Sequence, residues 1–196
     1  MPFDTLHRRL RFSRKRTGKA ITLTERDLEI FKLLQRYRYL RSNFIYAFVG
    51  GYEKRLIERL GHLFHEGYLN RPLQQWKAFN ARYTPAIYEL DDLAERFLKE
   101  HGLDGAEARS LVARGRMGAN REFAHAMMIS ETLACIELGV RDAPGIRFIS
   151  WTEILSRAPQ ATRDARNPFA IPVSISHTFL RTGSTHAAIF GLVPDA

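Results

Sequence analysis

The chain has 196 residues, 45% of them hydrophobic, with 30 Lys+Arg against 21 Asp+Glu and a formal net charge of +9. That length supports one medium domain or two small ones with real cores. The single Cys135 excludes an internal disulfide framework, and no apolar run is expected to approach the ~18 residues of a bilayer span. With no signal-peptide pattern at the start, a cytoplasmic setting is expected. Residues 1–80 hold 17 Lys+Arg against 7 Asp+Glu, whereas 81–196 hold 13 against 14. A basic surplus confined to one end points to a polyanion, and in a cytoplasm that polyanion is nucleic acid.

Residues 1–20 carry Arg8, Arg9, Arg11, Arg14, Lys15, Arg16 and Lys19. They show no apolar period, which predicts a mobile basic arm that tracks phosphates. A first helix is expected from Thr24 as N-cap, with Glu25 and Asp27 in its first turn, to Tyr37. Ser42 is expected to cap a second helix that buries Phe44, Ile45 and Phe48, and Gly50-Gly51 turns the chain into a third.

In the third helix Leu56, Leu60, Leu63 and Phe64 fall on one face, with Lys54, Arg55, Glu58, Arg59 and His62 opposite. Gly67 supplies its left-handed end. Strands are expected over 68–73 and 82–90, with residues 74–80 as a polar and aromatic hairpin tip and Pro85 confining its strand to a sheet edge. Three helices closed by a small sheet make a winged helix-turn-helix.

A further helix is expected over 91–100 and a connector over 104–119. From residue 120 a second unit is expected. It holds a helix over 122–138 that is apolar on most sides and therefore buried, a strand over 146–151, a short helix over 152–157, and strands over 169–176 and 185–193. The resulting fold class is α+β: an arm (1–20), a winged helix-turn-helix (21–103), the connector (104–119) and a small α/β unit (120–196).

The candidate site follows from this layout. Lys54, Arg55, Arg59 and His62 are expected at bases or nearby phosphates in the major groove. Ser42 and Asn43, at the start of the second helix, suit phosphate oxygens. Arg71, Lys77 and Arg82 on the wing, and Arg14, Lys15 and Arg16 on the arm, should hold the backbone. His62 and His65 stand three apart without a third nearby ligand, which does not make a zinc site. No glycine-rich phosphate loop is present, and adjacent Ser176 and His177 do not make a triad. No metal or cofactor is expected.

The segments LTERDLEIFKLLQRYRYL (23–40), LFHEGYLNR (63–71) and RYTPAIYEL (82–90) resemble winged helix-turn-helix proteins of the replication-relaxation family, associated with plasmids and other mobile elements. The likeness continues through 122–138, IRFISW (146–151) and VPDA (193–196), where that family is similar to a diverged PD-(D/E)xK nuclease fold. The resemblance implies Glu131 as the helix acid and Asp195 as the metal-binding aspartate. Nucleases of that kind gather carboxylates around Mg²⁺ to activate water. Here one residue follows Asp195, with no second acid and no lysine, so the catalytic set is incomplete.

The expectation is a double-stranded-DNA-binding homodimer acting in transcription regulation or in plasmid or mobile-element replication or mobilisation. Its partners would be replication or mobilisation proteins, and no membrane is involved. The alternative is a metal-dependent DNA-processing nuclease subunit with an incomplete catalytic set.

Overall fold

The structure is a computed structural model that describes residues 13–18, 20–77, 83–103, 120–165, 171–178 and 185–192. The chain divides into two compact units, Met1–Phe148 and Ile149–Ala196. Both combine helices with small antiparallel sheets, which is the α+β class.

In the first unit, α1 (Glu25–Tyr37) opens on a capping box: the Thr24 side chain accepts from the Asp27 N–H, and the Asp27 carboxylate accepts from the Thr24 N–H at 2.8 Å. Ile30, Phe31, Leu33, Leu34 and Tyr37 line its buried face. The helix ends at Arg38, with φ 63 and ψ −57, where the Tyr39 N–H donates to the Tyr37 carbonyl at 2.7 Å. This is a γ-turn of positive φ, a strained conformation for a residue with a Cβ. It feeds β1 (Leu40–Arg41), a strand of two residues, too short to leave a period in the sequence.

The helix α2 (Ser42–Val49) has Arg41 at its N-cap and no side-chain cap. Ser42 is not the cap that was expected. It is the first helical residue and is buried, and its N–H donates to the Ala86 carbonyl at 2.9 Å. Gly50 and Gly51 both take positive φ before α3 (Glu53–Glu66). The Arg26 guanidinium donates to the Gly50 carbonyl and fills the space at Gly51, so that a Cβ there would collide with it. Leu56, Leu60, Leu63 and Phe64 enter the core that α1 and α2 share, and Gly67, at φ 93, terminates α3 in the left-handed region.

Strands β2 (Leu69–Asn70) and β3 (Ile87–Leu90) complete a three-stranded antiparallel sheet of order β1-β3-β2. Its register pairs Leu40 with Tyr88 and Leu69 with Leu90. Both strands are shorter than the expected 68–73 and 82–90. Pro72 cannot donate to a ladder, and the chain turns instead into a 3-10 helix, Leu73–Lys77. There the buried Gln75 amide donates to the Pro72 and Ile87 carbonyls at 3.0 Å and accepts from the Ile87 N–H at 2.9 Å. One side chain thus satisfies the backbone that a longer strand would have paired. α4 (Asp92–Glu100) follows, capped by Asp91.

The helix α5 (Asn120–Val140) packs on this same unit. Ser130 donates to the Tyr37 carbonyl at 2.5 Å, Arg36 donates to Glu137 at 2.7 Å, and Arg141 reaches the Ala47 carbonyl at 3.1 Å. Tyr37 also donates to Glu137, and Arg41 to Glu131. Residues 120–148 therefore group with the first unit, and the division falls after Phe148, not at the expected residue 120.

Met127, Ser130 and Ala134 are buried, whereas Met128 and Ile136 are exposed. The helix is covered on one side and not, as expected, on most sides. Its segment Phe123–Val140 is long and apolar enough, by length and composition, to cross a bilayer. The run-length expectation missed it because Glu131 and Glu137 interrupt the run, and both acids are paired to arginines of β1 and α1.

The second unit holds α6 (Trp151–Ser156), α7 (Gln160–Arg163) and a hairpin of β4 (Ile171–Thr178) and β5 (Thr185–Leu192). The hairpin register runs from Ile171↔Leu192 to Thr178↔Thr185. The expected strand over 146–151 is absent. The Ser150 side chain accepts from the Glu153 N–H at 3.2 Å, which caps α6 and draws Trp151 into a helix.

Candidate nucleic-acid interface

The amphipathic period of α3 fixes what this helix presents. With Leu56, Leu60, Leu63 and Phe64 buried, Lys54, Arg55, Glu58 and His62 stand exposed on the far side. Tyr52 and Ile57 flank them and are 64% and 46% exposed. Asn43 is exposed at the start of α2, while Ser42 beside it is buried with its N–H already bonded.

Arg59 does not join this outward set. Its Nε donates to Asp27 Oδ1 at 2.8 Å, and its Nη2 donates to Asp27 Oδ2 at 2.6 Å and to the Thr22 carbonyl at 2.8 Å. Asp27 is fully buried. Burial pushes its carboxyl up, but hydrogen bonds from Arg59 and Thr24 outweigh that push and hold it below its ordinary range. The fork geometry of Arg59 matches the carboxylate bidentately and clamps α3 to the first turn of α1.

The described part of the basic arm is likewise not a free tail. Residues 13–18 lie as a strap across the C-terminal end of α3 and the sheet. Arg14 donates to the Leu69 carbonyl at 2.8 Å, pairs with Asp91, and stands 5.2 Å from the Phe64 ring centroid. The Lys15 N–H donates to His65 Nδ1 at 3.1 Å, and the Thr17 N–H donates to Glu66 at 2.9 Å. The two bonds from Thr17 hold the Glu66 carboxyl below its ordinary range. Arg14 is thus committed to the fold; Lys15 and Arg16 are exposed beside the end of α3, with the Arg16 guanidinium next to Gly67. Residues 1–12 and Lys19 lie outside the described residues.

Arg71 also turns inward. Its guanidinium stands 4.4 Å from the Phe64 centroid and 5.0 Å from that of Tyr88, and it donates to the Tyr88 hydroxyl at 2.6 Å. The Lys77 side chain and Arg82 lie outside the described residues. The exposed cations therefore flank both ends of α3: Lys54 and Arg55 at its start, Lys15 and Arg16 at its end. A helix of this length spans roughly 21 Å between those ends.

Of the two acids that the nuclease resemblance singled out, Glu131 is ion-paired with Arg41, and Asp195 lies outside the described residues. No group of three or more His, Cys, Asp or Glu that could hold a metal occurs among the described residues. Three residues that organise the site were not singled out in the sequence: Asp27 as the partner of Arg59, Gln75 as the staple on Ile87, and Glu137 as the anchor of α5. Asp27 carried a local signal, the capping position. Its partner 32 residues away carried none.

A family model described as replication-relaxation matches residues 31–196. The chain belongs to the replication-relaxation family. Membership ties this replication-relaxation protein to plasmid or mobile-element replication or mobilisation, and the matched residues span both units. No curated protein and no solved structure matches the chain.

Proposed function

We propose that the first unit is a winged helix-turn-helix that binds double-stranded DNA during plasmid or mobile-element replication or mobilisation. The observation that carries the reading is α3. Its apolar face is fully used by the core, and its outer face presents Lys54, Arg55, Glu58 and His62 to solvent. A helix presented in this way, joined to α2 by a tight glycine turn and followed directly by a strand, suits major-groove entry.

Lys54, Arg55 and His62 address base edges or adjacent phosphates, and Asn43 meets the backbone at the start of α2. Lys15 and Arg16 hold phosphates at the far end of α3. The segment between β2 and β3, with Lys77 and Arg82, serves as the wing. Arg59 positions α3 without touching DNA. Two copies on two half-sites would multiply the affinity of one, and light scattering of the complex counts them.

The test is selection from a randomised duplex pool at two salt concentrations, for the full chain and for a Lys54→Ala/Arg55→Ala variant. An enriched motif that the double variant loses supports the reading. Binding by neither protein, or identical motifs bound with unchanged affinity by both, overturns it.

A further inference from the structure

At the centre of the outward face of α3 stands an acid. Lys54, Glu58 and His62 follow one another at four-residue steps along the exposed side. Glu58, the middle of the three, lies on the side opposite buried Leu60 and Leu63. It makes no hydrogen bond or ion pair among the described residues. Its neighbour on the same face is Gly61, in mid-helix, where glycine costs stability relative to alanine. Among the described residues no contact calls for a glycine there. Its φ is not positive, and a Cβ would meet only the Arg71 guanidinium, at 3.8 Å. Gly61 is half-buried at the edge of that face, and a missing side chain there lets another molecule's surface come close to the helix backbone.

A carboxylate placed against phosphates loses affinity by repulsion, so a lone acid at the middle of a basic DNA-facing helix acts against binding unless a donor meets it. In the major groove the donors are amino groups, and a glutamate pairs with the cytosine N4 amino group. We infer that Glu58 reads a cytosine N4 amino group in the DNA target, with Gly61 allowing the close approach that this contact needs. The inference rests on the DNA-binding reading above and adds a base identity to it: the motif contains a C·G pair under the middle of α3.

The test compares the motifs that wild type, Glu58→Gln, Glu58→Ala and Gly61→Ala enrich from one randomised duplex pool. Wild type is expected to require C·G at one position by about tenfold over the other pairs. Glu58→Gln should move that position to A·T, since glutamine matches adenine N6 and N7. Glu58→Ala should lose the preference there alone while gripping random duplex more tightly. Gly61→Ala should weaken binding to the wild-type motif. If both Glu58 variants enrich the wild-type motif at every position, Glu58 is a solvated surface acid and the inference fails while the DNA-binding reading stands. If wild type enriches no motif, both fall. Glu58 and Gly61 have no partner in the core, so circular dichroism of the variants should match wild type.

Discussion

The Asp27–Arg59 clamp decides what a mutation on α3 does. Replacing Arg59 with alanine leaves a fully buried carboxylate with only Thr24 to face it. Loss of one partner of a buried pair is costly, and with Arg59 itself 29% exposed the expected loss is about 2 kcal/mol. Urea unfolding at neutral pH reads it as a lower midpoint. The preferred DNA sequence, measured on the folded protein, should not change. The sign of the pH dependence follows from the lowered Asp27 pKa. The stability that the pair contributes is present above the unfolded carboxylate pKa, near 3.9, and is lost as pH falls through the still lower folded value. The gap between wild type and Arg59→Ala should therefore close below about pH 4. The outward and inward faces of α3 were legible because a 3.6-residue period is local. The fate of Arg59, at the border between them, was not, because its partner lies 32 residues away on another helix.

Among elements, those with local punctuation were readable: the Thr24 cap of α1, the glycine pair before α3, the Gly67 stop and the Asp91 cap of α4. Elements decided by distant partners were not. The two-residue β1 exists because β3 pairs with it, and IRFISW has strand composition yet yields to the Ser150 cap. The strap is the sharpest case. Residues 13–18 look like a disordered basic run, but Arg14 and Thr17 find acids at Asp91 and Glu66. Deleting residues 1–18 should consequently lower stability as well as DNA affinity. The loss expected is about 1–2 kcal/mol in urea melts, since the pairs are part-buried or exposed and each contributes little. An unchanged midpoint would return the segment to the status of a tail that serves affinity alone.

At the scale of the whole molecule, net charge sets how binding responds to salt. With Lys54, Arg55, Lys15 and Arg16 each on one phosphate, the slope of log K against log salt is about −3.6, or roughly a hundredfold loss between 50 and 200 mM. Titration of a fixed duplex by fluorescence anisotropy measures that slope. Changing Lys15 and Arg16 to alanine should reduce it by about 2 and weaken cognate and random duplex alike. The γ-turn at Arg38 bears on how far such a molecule can be altered. Arg38→Gly removes the Cβ from a φ of 63, and strain relief less the added freedom of the unfolded chain should stabilise by about 1 kcal/mol. That is about 3 °C in a thermal melt. The site lies outside α3, so a library of new α3 sequences built on that background would tolerate destabilising substitutions that the parent could not, and retargeting the protein by laboratory evolution would start with headroom.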